Sequence, residues 1–395
     1  MSIHANLMSP EHRQNPYPLY AELRARPPVQ VEPLGMWTVA RYEDAVTVLK
    51  DPQRFTSAAR RRAMPDWVKR PRPGRNLVMM DPPEHTRLRN LVSRAFSAAA
   101  LARLEARIRE RANRLAERVV QQREVDFVSG FAMPLPAFVI GDMLGLDESL
   151  HGLFKQWADD MMSLSAYHHT EERKARINRS YAEMDAYFSE VLAKRRAHPK
   201  EDMVSELLRA EVDGQPLSED ELMGFMTLLL VAGLETTIHL LSNTMLTLAA
   251  HPSVLARAKA DLASVPRVVE EVLRYESPIH TLVRYTTQPV ELAGGSIPAQ
   301  APVVVLLASA GRDEAQFPHA DAFRPFERDK PSNLSFGHGP HYCLGAMLSR
   351  LEARLGLEAL LPRIQGFTRL TDQVEWMFSL SVRGPTSLPL AFTPA

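Results

Sequence analysis

The chain has 395 residues, 45% hydrophobic and 24% charged, a globular balance with enough apolar material for a sizeable core. Lys and Arg (47) equal Asp and Glu (47), so the formal net charge is zero, with no bulk attraction to nucleic acid or to a membrane surface. One cysteine excludes an internal disulfide and fits a reducing, cytoplasmic compartment, and Met1-Ser2-Ile3-His4-Ala5-Asn6 lacks the charged-then-apolar run of a signal peptide.

In chain order, residues 16–24 read as a loop entering a short helix, and 29–31 with 36–40 as a hairpin around Pro33-Leu34-Gly35. A helix is predicted over 42–50. No period of 2 or 3.6 holds over 56–80, which predicts a long loop of the kind that often serves function. Within it Arg60, Arg61, Arg62, Lys69, Arg70, Arg72 and Arg75 stand against the single acid Asp66. That excess reads as a solvated lid, or as a place where one arginine anchors a substrate carboxylate.

Helices follow over 85–96 and 98–122, the second with Leu101, Leu104, Ile108 and Leu115 on one face and arginines on the other. Further helices are predicted over 139–144, 150–162, 171–197 and 203–211. Ser218-Glu219-Asp220-Glu221 is a capping-box start for a helix over 219–249. Its apolar run contains Glu235, His239 and Asn243; a central Glu costs about 2.5–3.5 kcal/mol on membrane insertion, which points to a long buried helix. Helices over 254–262 and 266–275, strands over 290–292 and 303–308, a meander over 317–333 and a hairpin over 374–389 complete the pattern. Length alone would suggest two or three domains, yet no repeat, low-complexity linker or clean domain boundary is visible, and the order of elements is dominated by helices.

The stretch Phe336-Gly337-His338-Gly339-Pro340-His341-Tyr342-Cys343-Leu344-Gly345 holds the only cysteine and leads straight into a strong helix former, 346–354. Backbone N–H groups and the positive end of a helix dipole favour a thiolate there. Gly337 and Gly339 allow tight turning and close approach to something flat. A lone cysteine is more often buried and inert, but this one sits in F-G-x-G-x-H-x-C-x-G, which resembles the haem-binding loop of the cytochrome P-450 family. The resemblance implies that Cys343 is the proximal ligand of the iron of haem b (iron protoporphyrin IX), that His341 hydrogen-bonds a haem propionate, and that Phe336 and Gly345 pack at the ligand loop.

The resemblance extends over nearly the whole chain and implies the cytochrome P-450 fold, a single domain over residues 1–395 that is mainly α with a small β region. Ala232-Gly233-Leu234-Glu235-Thr236-Thr237 is similar to the family's oxygen-activation motif: Ala232 would border the haem at a local kink, Thr236 would hold water beside the iron, and Glu235 would feed protons in. Glu271-Val272-Leu273-Arg274 matches E-x-x-R, implying a buried ion pair that braces the haem loop. The family adds an arginine from the meander; Ala322-Phe323 stands there, leaving Arg324 and Arg328 as candidates. The same spacing at Glu84/Arg87 and Glu206/Arg209 reads as surface pairing. His85 and Arg89, four apart on one helix face, and Arg284 would hold the propionates. Met64, Leu77, Leu229, Val283 and Phe378 fall at substrate-contact positions. His239 and His280 receive no assignment.

Together these readings imply a soluble, bacterial-type monooxygenase that uses O2 and NAD(P)H to hydroxylate or epoxidise a mid-sized apolar small molecule (a fatty acid, terpenoid, steroid or polyketide-like compound). Electrons would come from a separate ferredoxin or flavodoxin with its NAD(P)H reductase. Arg103, Arg107, Arg111, Arg114, Arg350 and Arg354 would give that donor a basic docking face. The enzyme would be a monomer, with no nucleic acid and no membrane among its partners. A peroxygenase using hydrogen peroxide and a non-catalytic haem-thiolate sensor are the alternatives; Glu235 and Thr236 speak against the first, and product formation with an electron donor would exclude the second.

Overall fold

The computed structural model describes residues 2–4, 6–32, 34–61, 65–69, 75–165, 169–212, 214–327 and 333–395. Its centre is the helix Glu219–Ala250, which begins on the predicted capping box: the Ser218 hydroxyl accepts from the Glu221 N–H, and the Glu221 carboxylate accepts from the Ser218 N–H at 2.9 Å. This helix is apolar on every side because it is packed on every side. The helices Pro134–Leu144, His151–Met162, Glu171–Ala197, Val265–Tyr275 and Ala346–Leu360 all touch it. It is long and apolar enough to cross a membrane, but 78% of its most apolar stretch is buried within the fold.

The helix Ala98–Gln122 lies along Ala346–Leu360 and buries Leu101, Ile108 and Leu115, the face its periodicity marks. The helix predicted over 139–144 begins earlier, at Pro134. Proline is tolerated in a first turn, where its missing N–H would have no partner, so Pro134 and Pro136 open the helix instead of delaying it.

The β region stands to one side. A sheet runs in the order Ser2–His4, Gln30–Glu32, Met36–Val39, Pro302–Leu306, Thr281–Thr286, Phe55–Thr56. Pro302–Leu306 is buried on both faces: Val303 and Val305 enter one apolar cluster, Val304 and Leu306 another, as period-2 alternation requires. The strand predicted over 303–308 ends at Leu306, and Leu307–Ala310 turns helical.

The hairpin predicted over 374–389 is only a bridge between Trp376 and Pro385, with one Met377–Gly384 bond and one Thr386–Glu375 bond. Pro385 has no N–H to extend a ladder. The regular strands lie outside it, Ile364–Arg369 against Pro389–Pro394, with Glu124–Asp126 on the far edge.

Candidate active site

Between the long helix and the cysteine loop is a cavity with about 1250 Å³ of atom-free space, counting its mouth. One side is formed by the loop residues Phe336, Gly337, His341, Tyr342, Cys343, Leu344 and Gly345. Leu228, Leu229, Ala232, Gly233 and Thr236 of the long helix also line it, and Leu77, Ile140, Phe225 and Leu282 add apolar wall.

The loop is rigidly set. Gly337 and Gly339 take φ of +71° and +69°, and a Cβ on Gly339 would lie 2.5 Å from the Leu49 carbonyl oxygen. The Cys343 N–H donates to the Phe336 carbonyl at 2.8 Å, Arg89 Nη2 donates to the Tyr342 carbonyl at 2.6 Å, and the Arg350 guanidinium covers the Phe336 ring at 4.3 Å. Cys343 is exposed, and it faces the cavity. Although Cys343 opens onto the cavity, the protein atoms packed around it push the thiol up from its usual value, and the Gly345 N–H with Arg89 and Arg350 acts in the opposite direction. The helix begins at Ala346, so the sulfur precedes the first helical turn instead of sitting within it.

At one edge of the loop, the His85 and His341 rings meet at a tilt of 44° with centroids 4.2 Å apart, and Arg89 lines the cavity beside them. Both imidazoles are driven toward the neutral form. Burial lowers His85, helped by Arg89; burial and then Arg284 push His341 down to about 3. Neither ring nitrogen of His85, nor Nε2 of His341, has a hydrogen-bond partner among the described residues. Buried orphan donors beside two guanidinium groups call for an anionic group in the cavity. This donor set, with a thiol on the adjoining wall, fits a haem with its propionates.

Across the cavity the long helix runs unbroken through Ala232–Thr237. The expected kink is not there as a break. A Cβ on Gly233 would meet Ile140 Cδ1 at 2.6 Å, so this glycine serves close packing against Pro134–Leu144. The Thr236 hydroxyl donates to the Ala232 carbonyl at 2.8 Å, which leaves its oxygen as an acceptor toward the cavity.

Glu235 does not line the cavity; it is fully buried behind it, with Oε1 3.2 Å from Lys155 Nζ and Oε2 3.5 Å from His239 Nε2. Neither approach has hydrogen-bond geometry. Burial, reinforced by Asp159 and opposed by Lys155, lifts the carboxyl to about 8. Lys155 also pairs with Asp159, whose side chain is 40% exposed, so the acid is linked toward solvent.

Glu271 and Arg274 are both buried and doubly bonded, and the structure gives them backbone partners from the meander. Arg274 donates to the carbonyls of Gly311, Ala320 and Ala322, and the Arg324 N–H donates to Glu271 Oε1 at 2.9 Å. Arg324 thus contributes its main chain, while its guanidinium pairs with Glu327; Arg328 lies outside the described residues. Glu84 and Arg87 do not pair with each other. Arg75 takes Glu84 at 2.9 Å, and Arg87 takes Glu221.

Of the substrate positions, Leu77 and Leu229 line the cavity. Val283 does not: strand alternation puts Leu282 and Arg284 on one face and Val283 on the other. Phe378 does not either, since its ring lies under Arg13 at 4.7 Å in the β-side core. Met64 and the side chains of Arg60, Arg61, Arg62, Arg70 and Arg72 lie outside the described residues. Arg75 is committed to Glu84, with Glu221 at 3.7 Å.

Sequence reasoning missed Lys155, Asp159 and Glu352. The first two show no local signal, being brought to Glu235 only by helix packing. Glu352 could have been flagged as an acid on the inner face of the cysteine helix; it is 1% exposed and lines the cavity, and burial holds it well above the usual carboxylate range.

The expected basic docking face is largely neutralised. Arg107 pairs with Asp142, Arg111 with Glu148, Arg114 with Glu110, Arg350 with Glu270, and Arg354 with Glu105 and Glu358.

A family model described as Cytochrome P450 matches residues 141–377. Cytochrome P450 109 of Bacillus spizizenii is 39% identical over 98% of this chain and 94% of its own. Cyclomarin C epoxidase CymV of Salinispora arenicola is 39% identical over 94% of each protein. The solved structure of cytochrome P450 CYP109Q5 from Chondromyces apiculatus superposes with a TM-score of 0.91 at 42% identity, covering 100% of this chain and 99% of that one. With a cysteine loop and a threonine lining one apolar cavity, and relatives matching along most of their length, this chain belongs to the cytochrome P450 family and is a haem-thiolate monooxygenase whose cofactor is haem b.

Proposed function

We propose that this P450 hydroxylates or epoxidises a mid-sized, mostly apolar small molecule, with Cys343 as the proximal iron ligand. The observation that carries the reading is the cavity itself, with Cys343 on one wall, Thr236 on another and leucine, isoleucine and phenylalanine between them. A relative of similar length is named an epoxidase, which favours a substrate with a C=C bond as one candidate class.

Haem b, when bound, supplies the activation of O2 and the insertion of one oxygen atom. The chain does the rest. Cys343 would hold the iron. His85, Arg89, Arg284 and His341 would hold the propionates, using the ring nitrogens left without partners and the guanidinium forks. Thr236, with its own proton directed to Ala232, accepts a hydrogen bond from a water and so positions it in the cavity. Glu235, whose carboxyl burial lifts to about 8, can give a proton toward that water, then recover it through Lys155 and Asp159 from solvent. The apolar wall excludes bulk water and orients the substrate by shape.

Electrons would reach the site from a ferredoxin or flavodoxin and its NAD(P)H reductase, with the enzyme acting as a cytoplasmic monomer. The test is a reconstituted assay with a surrogate ferredoxin system over steroids, macrolactones, terpenoids and fatty acids. Ligand-induced changes in the haem spin state should identify binders, and binders should give products gaining one oxygen. Product formation from hydrogen peroxide alone, with none from NAD(P)H, would contradict this reading.

A further inference from the structure

His239 follows Glu235 by four residues, so the two side chains leave one face of the long helix. His239 Nε2 lies 3.5 Å from Glu235 Oε2, while Oε1 faces Lys155 of the helix His151–Met162 at 3.2 Å, with Asp159 behind it. The imidazole is boxed in. Its Nε2 also lies 3.2 Å from Met377 Sδ, and Nδ1 is buried with no partner among the described residues. A Cβ on Gly384 would fall 2.1 Å from Nδ1, so only glycine there leaves the ring its place. Burial and Lys155 keep His239 neutral, pushed down to about 3.

We propose that His239 is a positioning residue for the acid Glu235, a neutral N–H donor held ready for the carboxylate that remains when Glu235 gives up its proton. In the protonated acid, the Nε2–H rests against the Met377 sulfur, a weak acceptor. On ionisation, Oε2 becomes a far better acceptor within reach of the same N–H. The donation pins one carboxyl oxygen and leaves Oε1 to exchange protons by way of Lys155 and Asp159. The groups facing Glu235 are thus Lys155 and Asp159 from the neighbouring helix and His239 from its own, with Met377 and Gly384 supporting the ring. Losing the donor leaves the carboxylate less stable, so Glu235 holds its proton to higher pH.

The inference rests on the proton-delivery role given to Glu235, and two readouts separate them. In the holoenzyme, the infrared carbonyl stretch of protonated Glu235, assigned by its loss in Glu235→Gln, is titrated with pH. The midpoint should rise by about one pH unit in His239→Leu, or in His239→Met should the first variant fail to bind haem. His239→Gln, which restores an N–H donor, should bring it back toward wild type. The pH midpoint of product formed per NAD(P)H should move with it. Midpoints unchanged in the apolar variants, or shifted equally in His239→Gln, would overturn the role of His239. Full coupled product in Glu235→Gln would instead overturn the proton-delivery reading, whatever the infrared midpoints show.

Discussion

Arg274 grips Glu271 at two points, Nε to Oε2 at 2.9 Å and Nη2 to Oε1 at 2.7 Å, with both side chains buried. Three main-chain carbonyls take the remaining guanidinium donors, so the charge is desolvated but satisfied. Removing one member leaves the other charged and unpaired, which typically costs about 3–5 kcal/mol. Arg274→Ala should therefore lower the urea midpoint sharply and weaken haem retention. Arg114→Ala, at an exposed pair, should change stability by less than about 0.5 kcal/mol. Equal effects of the two substitutions would contradict the bracing role.

Thr236 is expected to act on coupling and not on binding. Thr236→Ala removes the acceptor facing the cavity while leaving the apolar walls intact. Substrate-induced spectral changes should persist, but product per NAD(P)H should fall by about 10²-fold, with peroxide appearing instead. Unchanged product yield would remove Thr236 from proton delivery.

Glu235 should make stability depend on pH. Its carboxyl is lifted to about 8 from an ordinary 4.5, so the folded chain holds a proton that the unfolded chain releases. The associated stabilisation is complete below 4.5 and is lost as pH rises toward about 8. Urea unfolding at about pH 5 and about pH 8 should show a larger loss for wild type than for Glu235→Gln. The same pH dependence in both would contradict a buried, protonated Glu235.

Electron transfer should be nearly insensitive to salt. Arg107, Arg111, Arg114, Arg350 and Arg354 already face carboxylates of this chain, so little bare charge remains for screening to weaken. The rate from a surrogate ferredoxin should change by less than about twofold between roughly 0.01 M and 0.15 M ionic strength. A steep fall would restore the basic docking face that the helix pattern alone suggests.

Local signals in the sequence were enough for the elements that depend on neighbours in the chain. The capping box at Ser218 starts the long helix, and periodicity over 98–122 marks Leu101, Ile108 and Leu115 as its buried face. Gly337 and Gly339 hold the positive φ that the cysteine loop demands. What depended on packing was not legible. Lys155 and Asp159 reach Glu235 only because two helices cross. Val283 lies off the cavity wall that Leu282 lines because one residue of strand register exchanges faces, and the intramolecular partners of the arginines are scattered through the chain.

The central claim is that Cys343 ligates the haem iron, and the absorption spectrum of the ferrous protein under carbon monoxide tests it most directly. Wild type should show the strongly red-shifted band of thiolate-ligated haem, and Cys343→Ala should lose that band while helical content by circular dichroism is retained. A red-shifted thiolate band in Cys343→Ala, in a chain with no second cysteine, would contradict the account.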